Sequence, residues 1–524
     1  MKQNCPSGQP KIGSSCKRKR RGGWLGLVLI GLLLLSSLAA CSKEQDPTPA
    51  ASVSTSPSTN PVKDAEAESP TVATGSVVGL ADAGSQPMPT PPPQVYTVQA
   101  GDTLSSISRK FGIDLDELIA INGITNPNLL QVGQQLQVPA SQMETGPDLR
   151  LLPNSEFVNG PAYVDFDIAA FIIQNGGYLL SYEENVGGRV MNGPEIVDYV
   201  VDHYSVGPRM LLAILELQSG WVTNPNPSGE ALLYPMGYTG SGWDLLQRQL
   251  AWAADRLNQG YYDWRGRGMP IKSWGDGTSM VYAPTLNAAT AGLQSFFSLV
   301  ATKSEWQVLV GDGPGSFLQT YRQLFGDPNQ YAIEPLIPAS TSIPDLSLPW
   351  AQGEMWYYTG GPHGGWADGS AWSAIDFVPD EGYLGCQAAA SWATAAAPGL
   401  VTHSENGEVM VDLDQDGHDE TGWVLFYLHV ASQGRVPVGT QVKQGDSIGH
   451  PSCEGGFSES THLHLARKYN GEWIAADGPL PLVLSGWQFY SSGASYEGTA
   501  SRGAQERTAC ECRQPDFNGL VADR

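Results

Sequence analysis

The chain has 524 residues, which is too long for one hydrophobic core and predicts about three folded units with connecting segments. Its formal net charge is −24, and beyond residue 40 it carries 22 basic and 53 acidic residues. A surface this negative makes nucleic acid and other polyanions unfavourable partners. Charged residues are sparse while Gly, Pro and Trp are plentiful, which is typical of loop-rich extracellular domains.

Residues 1–40 are predicted to be a targeting segment. A basic run at 17–21 precedes an apolar stretch, 24–35, that is too short to span a membrane and ends before small residues. The tetrapeptide Leu-Ala-Ala-Cys that ends at Cys41 resembles a bacterial lipobox. That resemblance implies cleavage before Cys41, lipidation of its thiol and a lipid anchor in the membrane. A plain secretory signal with a coincidental cysteine is the alternative.

Export permits disulfides in the mature chain. We favour pairing of Cys386 with Cys453, because both fall inside one predicted domain. Cys510 and Cys512 are too close together to form a zinc knuckle, since no second Cys/His pair lies near them.

Residues 41–94 are predicted to be a disordered linker. They are rich in Pro, Thr, Ser and Ala and have almost no bulky apolar residues with which to build a core. A linker of this composition holds the following domains away from a membrane while leaving them mobile.

Residues 95–140 are predicted to fold as strand, helix, helix and strand. The runs Tyr-Thr-Val-Gln-Ala-Gly-Asp-Thr-Leu and Ile-Asn-Gly-Ile-Thr-Asn-Pro make this βααβ segment resemble a LysM module. The resemblance implies binding of N-acetylglucosamine-containing glycans, either peptidoglycan or chitin. A module that folds without binding is the alternative. The implied glycan-binding residues are Gly101, Asp102, Thr103, Leu104, Ile124, Thr125, Asn126 and Pro127.

Residues 150–342 are predicted to be mainly helical, because apolar residues recur there at spacings of three and four. The run 206–221 resembles the signature helix of lysozyme-like lytic transglycosylases. That family has an acid/base Glu before Ser-Gly, where this chain has Gln218, whose amide cannot transfer the proton. Glu216 lies roughly 200° around the helix and cannot replace it. We expect a lysozyme-like glycan-binding domain that has lost catalysis, or an ordinary helical spacer.

Residues 346–490 have the short strands and Gly-rich turns of an antiparallel β-rich domain. Seven of the eight histidines lie between His363 and His464. His462 and His464 are two residues apart on a predicted strand, so both should enter one cleft. The small and polar segment 491–524 is predicted to be a mobile tail.

Four motifs occur in a fixed order in this domain, at 361–365, 374–379, 427–429 and 461–464. Together they resemble the lysostaphin/LytM-type zinc metallopeptidases, which cut peptide cross-links in peptidoglycan. Two neutral imidazoles and one carboxylate leave a fourth zinc position open for water or substrate. The resemblance implies that the zinc ligands are His363, Asp376 and His464, that His462 is the general base and that His429 stabilises the oxyanion.

One feature departs from this family. The Asp usually follows the first His by four residues, whereas here the gap is thirteen. The added Gly, Asp and Ser residues suit a surface loop, so ligation can survive. If His363 were not a ligand, His403 or His450 would be the nearest substitutes.

A separate acidic run resembles a calcium-binding loop of the form D-x-D-x-D-G. Its twelfth position is Trp423 instead of Glu, so it is not a complete EF-hand. A polar hairpin tip is the alternative. The candidate calcium ligands are Asp412, Asp414, Asp416 and Asp419.

The sequence therefore predicts a multidomain, lipid-anchored protein of the cell envelope with a LysM module, a helical domain and a zinc endopeptidase domain. The predicted reaction is hydrolysis of peptide cross-links in peptidoglycan. A non-catalytic peptidoglycan-binding or amidase-activating protein with the same fold is the main alternative. A glycan-cleaving enzyme acting through the helical domain is a third, and Gln218 argues against it.

Overall fold

The computed structural model describes residues 94–99, 102–111, 113, 115–127, 130–138, 144–267, 271–274 and 279–523. The predicted signal segment, Cys41, the linker 41–93 and Gly101 lie outside these residues. Within them, no helix is long and apolar enough to cross a membrane.

The LysM segment has the predicted βααβ order. It consists of β1 (Gln94–Thr97), α1 (Leu104–Phe111), α2 (Leu115–Ile121) and β2 (Gln135–Val138). β1 and β2 pair antiparallel. Their alternating side chains pack on the helices, and Tyr96, Ile107, Leu118 and Leu136 are buried in one small core.

The middle domain is mainly helical, as predicted, with a few short strand pairs. Asn192 and Glu195 form a capping box at the start of helix Gly193–Tyr204, and Pro208 and Gly220 bound helix Pro208–Ser219. The helices are α3 (Asn154–Phe157), α4 (Ile168–Asn175), α5 (Tyr178–Ser181), α6 (Gly193–Tyr204), α7 (Pro208–Ser219), α8 (Leu246–Tyr262), α9 (Ala288–Val300), α10 (Lys303–Leu309) and α11 (Phe317–Phe325). The strands are β3 (Glu183–Val186), β4 (Arg189–Asn192), β5 (Ile271–Ser273) and β6 (Ser279–Val281).

A buried ion pair connects the first and middle parts of this domain. Arg209 Nε lies 3.0 Å from Glu156 Oε2, and one of its terminal nitrogens lies 2.6 Å from Glu156 Oε1. The hydroxyl groups of Tyr163 and Tyr321 donate to the same carboxylate. Both charges are almost fully buried, so each depends on the other for compensation.

Replacing Arg209 by Ala should destabilise the protein by about 3–5 kcal/mol, because it leaves the Glu156 carboxylate buried without its cation. Urea unfolding followed by circular dichroism measures the change. The exposed pair between Arg189 and Glu195 provides the control, and Arg189→Ala should cost less than about 1 kcal/mol. Equal losses in the free energy of unfolding for Arg209→Ala and Arg189→Ala would contradict this account.

The C-terminal region forms a nine-stranded antiparallel sheet. Its order is β13, β10, β11, β12, β15, β8, β7 and β21, and β16 pairs with β15. The bounds are β7 (Met355–His363), β8 (Ala374–Pro379), β10 (Gly399–Glu405), β11 (Glu408–Asp412), β12 (Trp423–Leu428), β13 (Gln441–Val442), β15 (Leu463–Tyr469), β16 (Glu472–Trp473) and β21 (Gly519–Val521). A separate pair joins β9 (Ala393–Thr394) and β14 (Ser447–Gly449).

The prediction of a mobile tail at 491–524 was wrong. A four-stranded sheet contains β17 (Val483–Leu484), β18 (Trp487–Ser491), β19 (Gly498–Arg502) and β20 (Gln505–Thr508). α12 (Pro515–Asn518) and β21 follow, and β21 pairs with β7. Small polar residues still form strands when their backbone bonds to a neighbour, and the folded domain therefore continues to residue 523.

The helical domain and the nine-stranded sheet share one hydrophobic core. His464 and Ala466 lie two residues apart on β15 and so project from the same face of the sheet. Ala466 packs in the core of the helical domain, which therefore covers part of the face that carries His464. The sheet residues in this shared core are Ala374, Met410, Val424, Phe426, Leu428, Ala466 and Trp473.

Candidate active site

Three neighbouring strands bring His363, Asp376 and His464 together. His363 ends β7, Asp376 lies on β8, and His464 lies opposite Asp376 in the β8/β15 register. Gly360 on β7 faces the carboxylate closely, since a Cβ there would lie 2.5 Å from Asp376 Oδ2. The position needs glycine because any side chain would displace Asp376.

Their nearest ligand atoms form a triangle. His363 Nε2 lies 3.1 Å from His464 Nδ1 and 3.4 Å from Asp376 Oδ1. His464 Nδ1 lies 3.3 Å from the same carboxylate oxygen. All three side chains are buried.

The second nitrogen of each imidazole contacts a backbone carbonyl. His363 Nδ1 lies 2.8 Å from the carbonyl oxygen of Gly361, and His464 Nε2 lies 3.0 Å from that of Gly365. A carbonyl only accepts, so each of these nitrogens carries the hydrogen. When both rings are neutral, the opposite nitrogens, His363 Nε2 and His464 Nδ1, therefore direct their lone pairs at each other and at Asp376.

This set fits a zinc ion. Asp376 Oδ1 is buried and accepts no hydrogen bond from the described residues, which leaves it available to a cation. Two ligands at about 2.0–2.1 Å from a tetrahedral zinc lie about 3.4 Å apart, close to the separations between these three atoms. Two imidazoles and one carboxylate are also a common catalytic zinc set.

The electrostatics favour the metal-binding forms of Asp376 and His464, and the protonated form of His363. Burial opposes the charge on Asp376, but the imidazoles of His363 and His462 outweigh it and hold the pKa of the carboxyl well below its usual range. Burial lowers the pKa of His464. For His363 burial acts in the same direction, but Asp376 outweighs it and raises the pKa. Asp376 is thus ionised and His464 neutral at neutral pH.

His462 and His429 lie beside the triangle, with their ring centroids 4.4 Å apart. His462 Nε2 is 3.8 Å from Asp376 Oδ1, and its Nδ1 is 2.8 Å from the carbonyl oxygen of Ser460. His429 Nδ1 is 3.0 Å from the carbonyl oxygen of Glu454. Each ring, when neutral, therefore has an unprotonated Nε2. Burial lowers the pKa of His429 to about 3, and His462 and His464 add to this effect.

The two substitutes for His363 lie elsewhere. His403 faces Glu408 at 3.7 Å, and His450 packs on Trp392 with ring centroids 3.8 Å apart. Neither substitute is needed, because His363 and Asp376 lie close together in space despite the long gap between them in the sequence.

Tyr496 lies at the site and was not predicted from the sequence. Its ring stacks on His363 at 4.1 Å between centroids and an interplanar angle of 20°, and its backbone bonds to Gly361 and Pro362. The only signal in the sequence was a lone aromatic residue in a small, polar segment. Its contact with His363 restricts the orientation of that ring.

The site opens into a cavity of about 1260 Å³ with walls from two domains. The helical domain contributes Tyr204, Trp252 and Arg256, and the β-rich domain contributes Tyr383 and Phe457. The helical domain therefore forms part of the wall of the cavity that leads to the histidines.

Disulfide Cys386–Cys453 is present, as the sequence analysis favoured. It lies beside the residues that lead into β15, because the Thr461 hydroxyl donates to the carbonyl of Gly385. A second disulfide joins Cys510 and Cys512, both within the segment that was predicted to be mobile.

The acidic run lies at the tip of the β11/β12 hairpin. Carboxylate oxygens of Asp412, Asp414 and Asp416 lie within 4.8 Å of one another, whereas Asp419 turns away and accepts from the Thr402 hydroxyl. Burial raises the pKa of Asp414 to about 6, and Asp412 adds to the effect. Three of the four predicted ligands are thus close together, and calcium binding stays a prediction.

If calcium binds there, it should raise the Tm of the wild type by roughly 1–2 °C, which corresponds to about 1 kcal/mol for a chain of this size. The rise should disappear in Asp414→Asn, which removes one charge from the cluster. His418→Ala, on the same loop, is the control and should keep it. Differential scanning calorimetry measures all three, and a rise that persists in Asp414→Asn refutes the site.

The predicted glycan-binding residues lie in two turns of the LysM segment. The Asp102 carboxylate accepts from the Tyr96 hydroxyl at 2.6 Å, and Thr103 caps α1 through the Ser106 amide. Residues 125–127 are exposed. Leu104 is 3% exposed and packs in the core, so its side chain is not available to a glycan.

The helical domain has no glutamate at the position where lysozyme-like lytic transglycosylases have their acid/base residue. Gln218 is near the end of α7, and Glu216 accepts from the Val222 and Thr223 amides at 3.0 Å, which fixes the following turn. Glu216 therefore has a structural role.

Two family models match the chain: "LasA, N-terminal domain" at residues 150–340 and "LysM domain" at 96–139. The match over the helical domain does not confirm the lysozyme-like relation predicted from 206–221.

Among known proteins, the chain is 25% identical over 364 residues to Protease LasA of Pseudomonas aeruginosa, covering 66% of this chain and 78% of that protein. It is 46% identical over 61 residues to N-acetylmuramoyl-L-alanine amidase XlyA of Bacillus subtilis, covering 12% of this chain and 20% of the other. Among solved structures, the M23 metalloprotease pseudoalterin has a TM-score of 0.28 at 23% identity, covering 35% of this chain and 99% of pseudoalterin.

The LysM segment, the LasA-type N-terminal domain and the similarity to Protease LasA over 364 residues support a LysM-bearing peptidase of the lysostaphin/LytM type, which the four C-terminal motifs resemble.

Proposed function

We propose that this protein is a zinc-dependent endopeptidase that hydrolyses peptide cross-links in bacterial peptidoglycan. The observation that carries the proposal is the buried triangle of His363 Nε2, Asp376 Oδ1 and His464 Nδ1, with separations of 3.1–3.4 Å. It opens into a cavity large enough for a peptide, and Protease LasA is a relative.

His363, Asp376 and His464 would hold the zinc, which when bound lowers the pKa of its water and polarises the scissile carbonyl. His462 would accept the proton of the attacking water. Its Nδ1 is occupied by the Ser460 carbonyl, which leaves Nε2 as the basic atom on the side of Asp376. His462 is also partly exposed, so water can reach it.

His429 would stabilise the oxyanion. Because its Nδ1 is committed to Glu454, its Nε2 can donate only when the ring is protonated. The role therefore requires that His429 take up a proton in the course of the reaction, and this requirement separates it from His462.

The LysM segment would bind the glycan strand through residues 101–104 and 124–127, and lipidation of Cys41 would tether the chain to the envelope membrane. Both attachments raise the local concentration of cross-links around the peptidase. The alternative is a wall-binding or amidase-activating protein that does not cut.

The test is to digest purified cell wall with the full chain and to identify the products by mass spectrometry. Cleavage of peptide bonds exposes new amines, whereas cleavage of glycan does not. Metal analysis should find one zinc per chain, and a chelator should stop the release of peptides. Release that continues without zinc would overturn the mechanism. A chain with zinc that releases nothing would favour the non-catalytic alternative.

A further inference from the structure

The segment 364–373, which makes the gap between His363 and Asp376 unusually long, contacts a metal-site residue directly. The carbonyl oxygen of Gly365 accepts from His464 Nε2 at 3.0 Å. Gly365 is closely enclosed, since a Cβ there would lie 2.2 Å from Ser373 Oγ and 2.5 Å from the Trp473 ring. The position of the Gly365 carbonyl oxygen therefore depends on the contacts that fix the rest of segment 364–373.

Internal bonds make the segment compact. The Gly365 amide donates to the Ala371 carbonyl at 3.1 Å. The Trp366 amide donates to the Ser370 hydroxyl at 3.0 Å, and Ser370 is fully buried. A displacement at one end of the segment should therefore be transmitted to Gly365.

The helical domain holds the far end of the segment. Asp255 on α8 accepts from the Gly369 amide at 2.7 Å. The two backbones approach so closely that a Cβ on Gly369 would lie 2.0 Å from the Asp255 carbonyl oxygen. Arg256 pairs with the Asp255 carboxylate and is itself held by Gln259 at 2.7 Å.

The aromatic ring of Trp366 provides a second attachment. It packs against His203 of α6 at 4.7 Å between ring centroids and against Phe426 of the sheet at 6.0 Å. The segment is thus fixed between the helical domain and the sheet at the residue next to Gly365.

We propose that Asp255 is a positioning residue for the zinc ligand His464, acting across the domain boundary through segment 364–373. This inference rests on the proposed zinc site. A hydrogen bond to the outer nitrogen of a ligand histidine fixes its tautomer and orientation, and loss of such partners typically weakens metal binding by about 10–100-fold. The helical domain is therefore part of the apparatus that orients the metal site.

The test uses the full chain and measures zinc affinity by competition with a chromophoric chelator. Asp255→Ala removes the acceptor for Gly369 and should weaken zinc binding by about tenfold or more. Asp255→Asn keeps an acceptor oxygen of the same shape and should restore most of the affinity. If only the charge of Asp255 mattered, Asp255→Asn would lose as much zinc affinity as Asp255→Ala.

Asp167 provides a matched control. Its carboxylate also accepts from a backbone amide, that of Ala170 at 2.8 Å, but it caps α4 and does not contact the segment. Asp167→Ala should lower the Tm without changing zinc affinity. Equal loss of zinc affinity in Asp167→Ala and Asp255→Ala would assign the effect to general destabilisation and overturn the proposal.

Three further outcomes separate this proposal from the proposed function. Wild-type protein that binds no zinc would overturn both. Wild type that binds zinc tightly, with Asp255→Ala of equal affinity, would overturn the positioning role alone. A change in KM with unchanged zinc affinity would also overturn it and would make Asp255 a substrate contact in the cavity.

Discussion

Asp376→Asn should lose both the zinc and the peptidase activity. The substitution keeps the shape that Gly360 accommodates but removes the only negative charge of the ligand set. Metal catalysis contributes several kcal/mol to the transition state, so turnover should fall by roughly a thousandfold or more. Metal content per chain and the rate of peptide release from cell wall measure the two losses.

Asp380→Asn is the matched control. Asp380 lies just after β8 and accepts from the Tyr357 hydroxyl at 3.1 Å, outside the metal cluster. It should keep full zinc content and activity. If Asp376→Asn retained zinc at the wild-type level, the ligand assignment would fail, and His464→Ala would then show whether any part of the triangle binds metal.

His462→Ala should keep its zinc and lose about 100- to 10,000-fold in kcat, which is the usual contribution of a positioned general base. His462 is not one of the three ligands, and its Nε2 is the basic atom facing Asp376 at 3.8 Å. His429→Ala should also keep its zinc, and its kcat should fall by a smaller factor.

Metal analysis and measurements of kcat for the two variants separate the roles. His418→Ala, at the exposed tip of the β11/β12 hairpin, is the control for removal of an imidazole and should behave as wild type. If kcat fell further in His429→Ala than in His462→Ala, the two assignments would have to be exchanged.

The fold of the LysM segment and the residues of the metal cluster could be predicted because both depend on short sequence motifs. His462 directly precedes β15 and His464 lies on it, and extended backbone directs side chains two residues apart to one side. The motifs around His363, Asp376 and His429 each lie at the end of a strand or within one. A sheet then brings together residues that are far apart in the chain.

The remaining features depend on contacts that no local pattern encodes. Gly369 and Asp255 are 114 residues apart. The sequence around either residue does not indicate that the two are in contact. Tyr496 lies in a segment whose composition suggested mobility, yet backbone bonds to strands of the same domain order it. Composition describes how much apolar surface a segment can bury, not whether its backbone finds partners.

The sequence also did not reveal the core that the helical domain shares with the sheet. Apolar periodicity predicted helices at 150–342, and this segment was treated as a separate domain. In the structure Phe426 and Trp473 of the sheet pack among those helices. Periodicity shows that a face is buried and does not reveal what covers it.

The two outer strands of the nine-stranded sheet are very short, since β13 has two residues and β21 has three. A long exposed edge offers unpaired amides and carbonyls to another chain and promotes aggregation. An enzyme gathered at high density on a polymer surface is especially vulnerable to such pairing. The short edges should therefore let many copies crowd on one stretch of cell wall without joining their sheets.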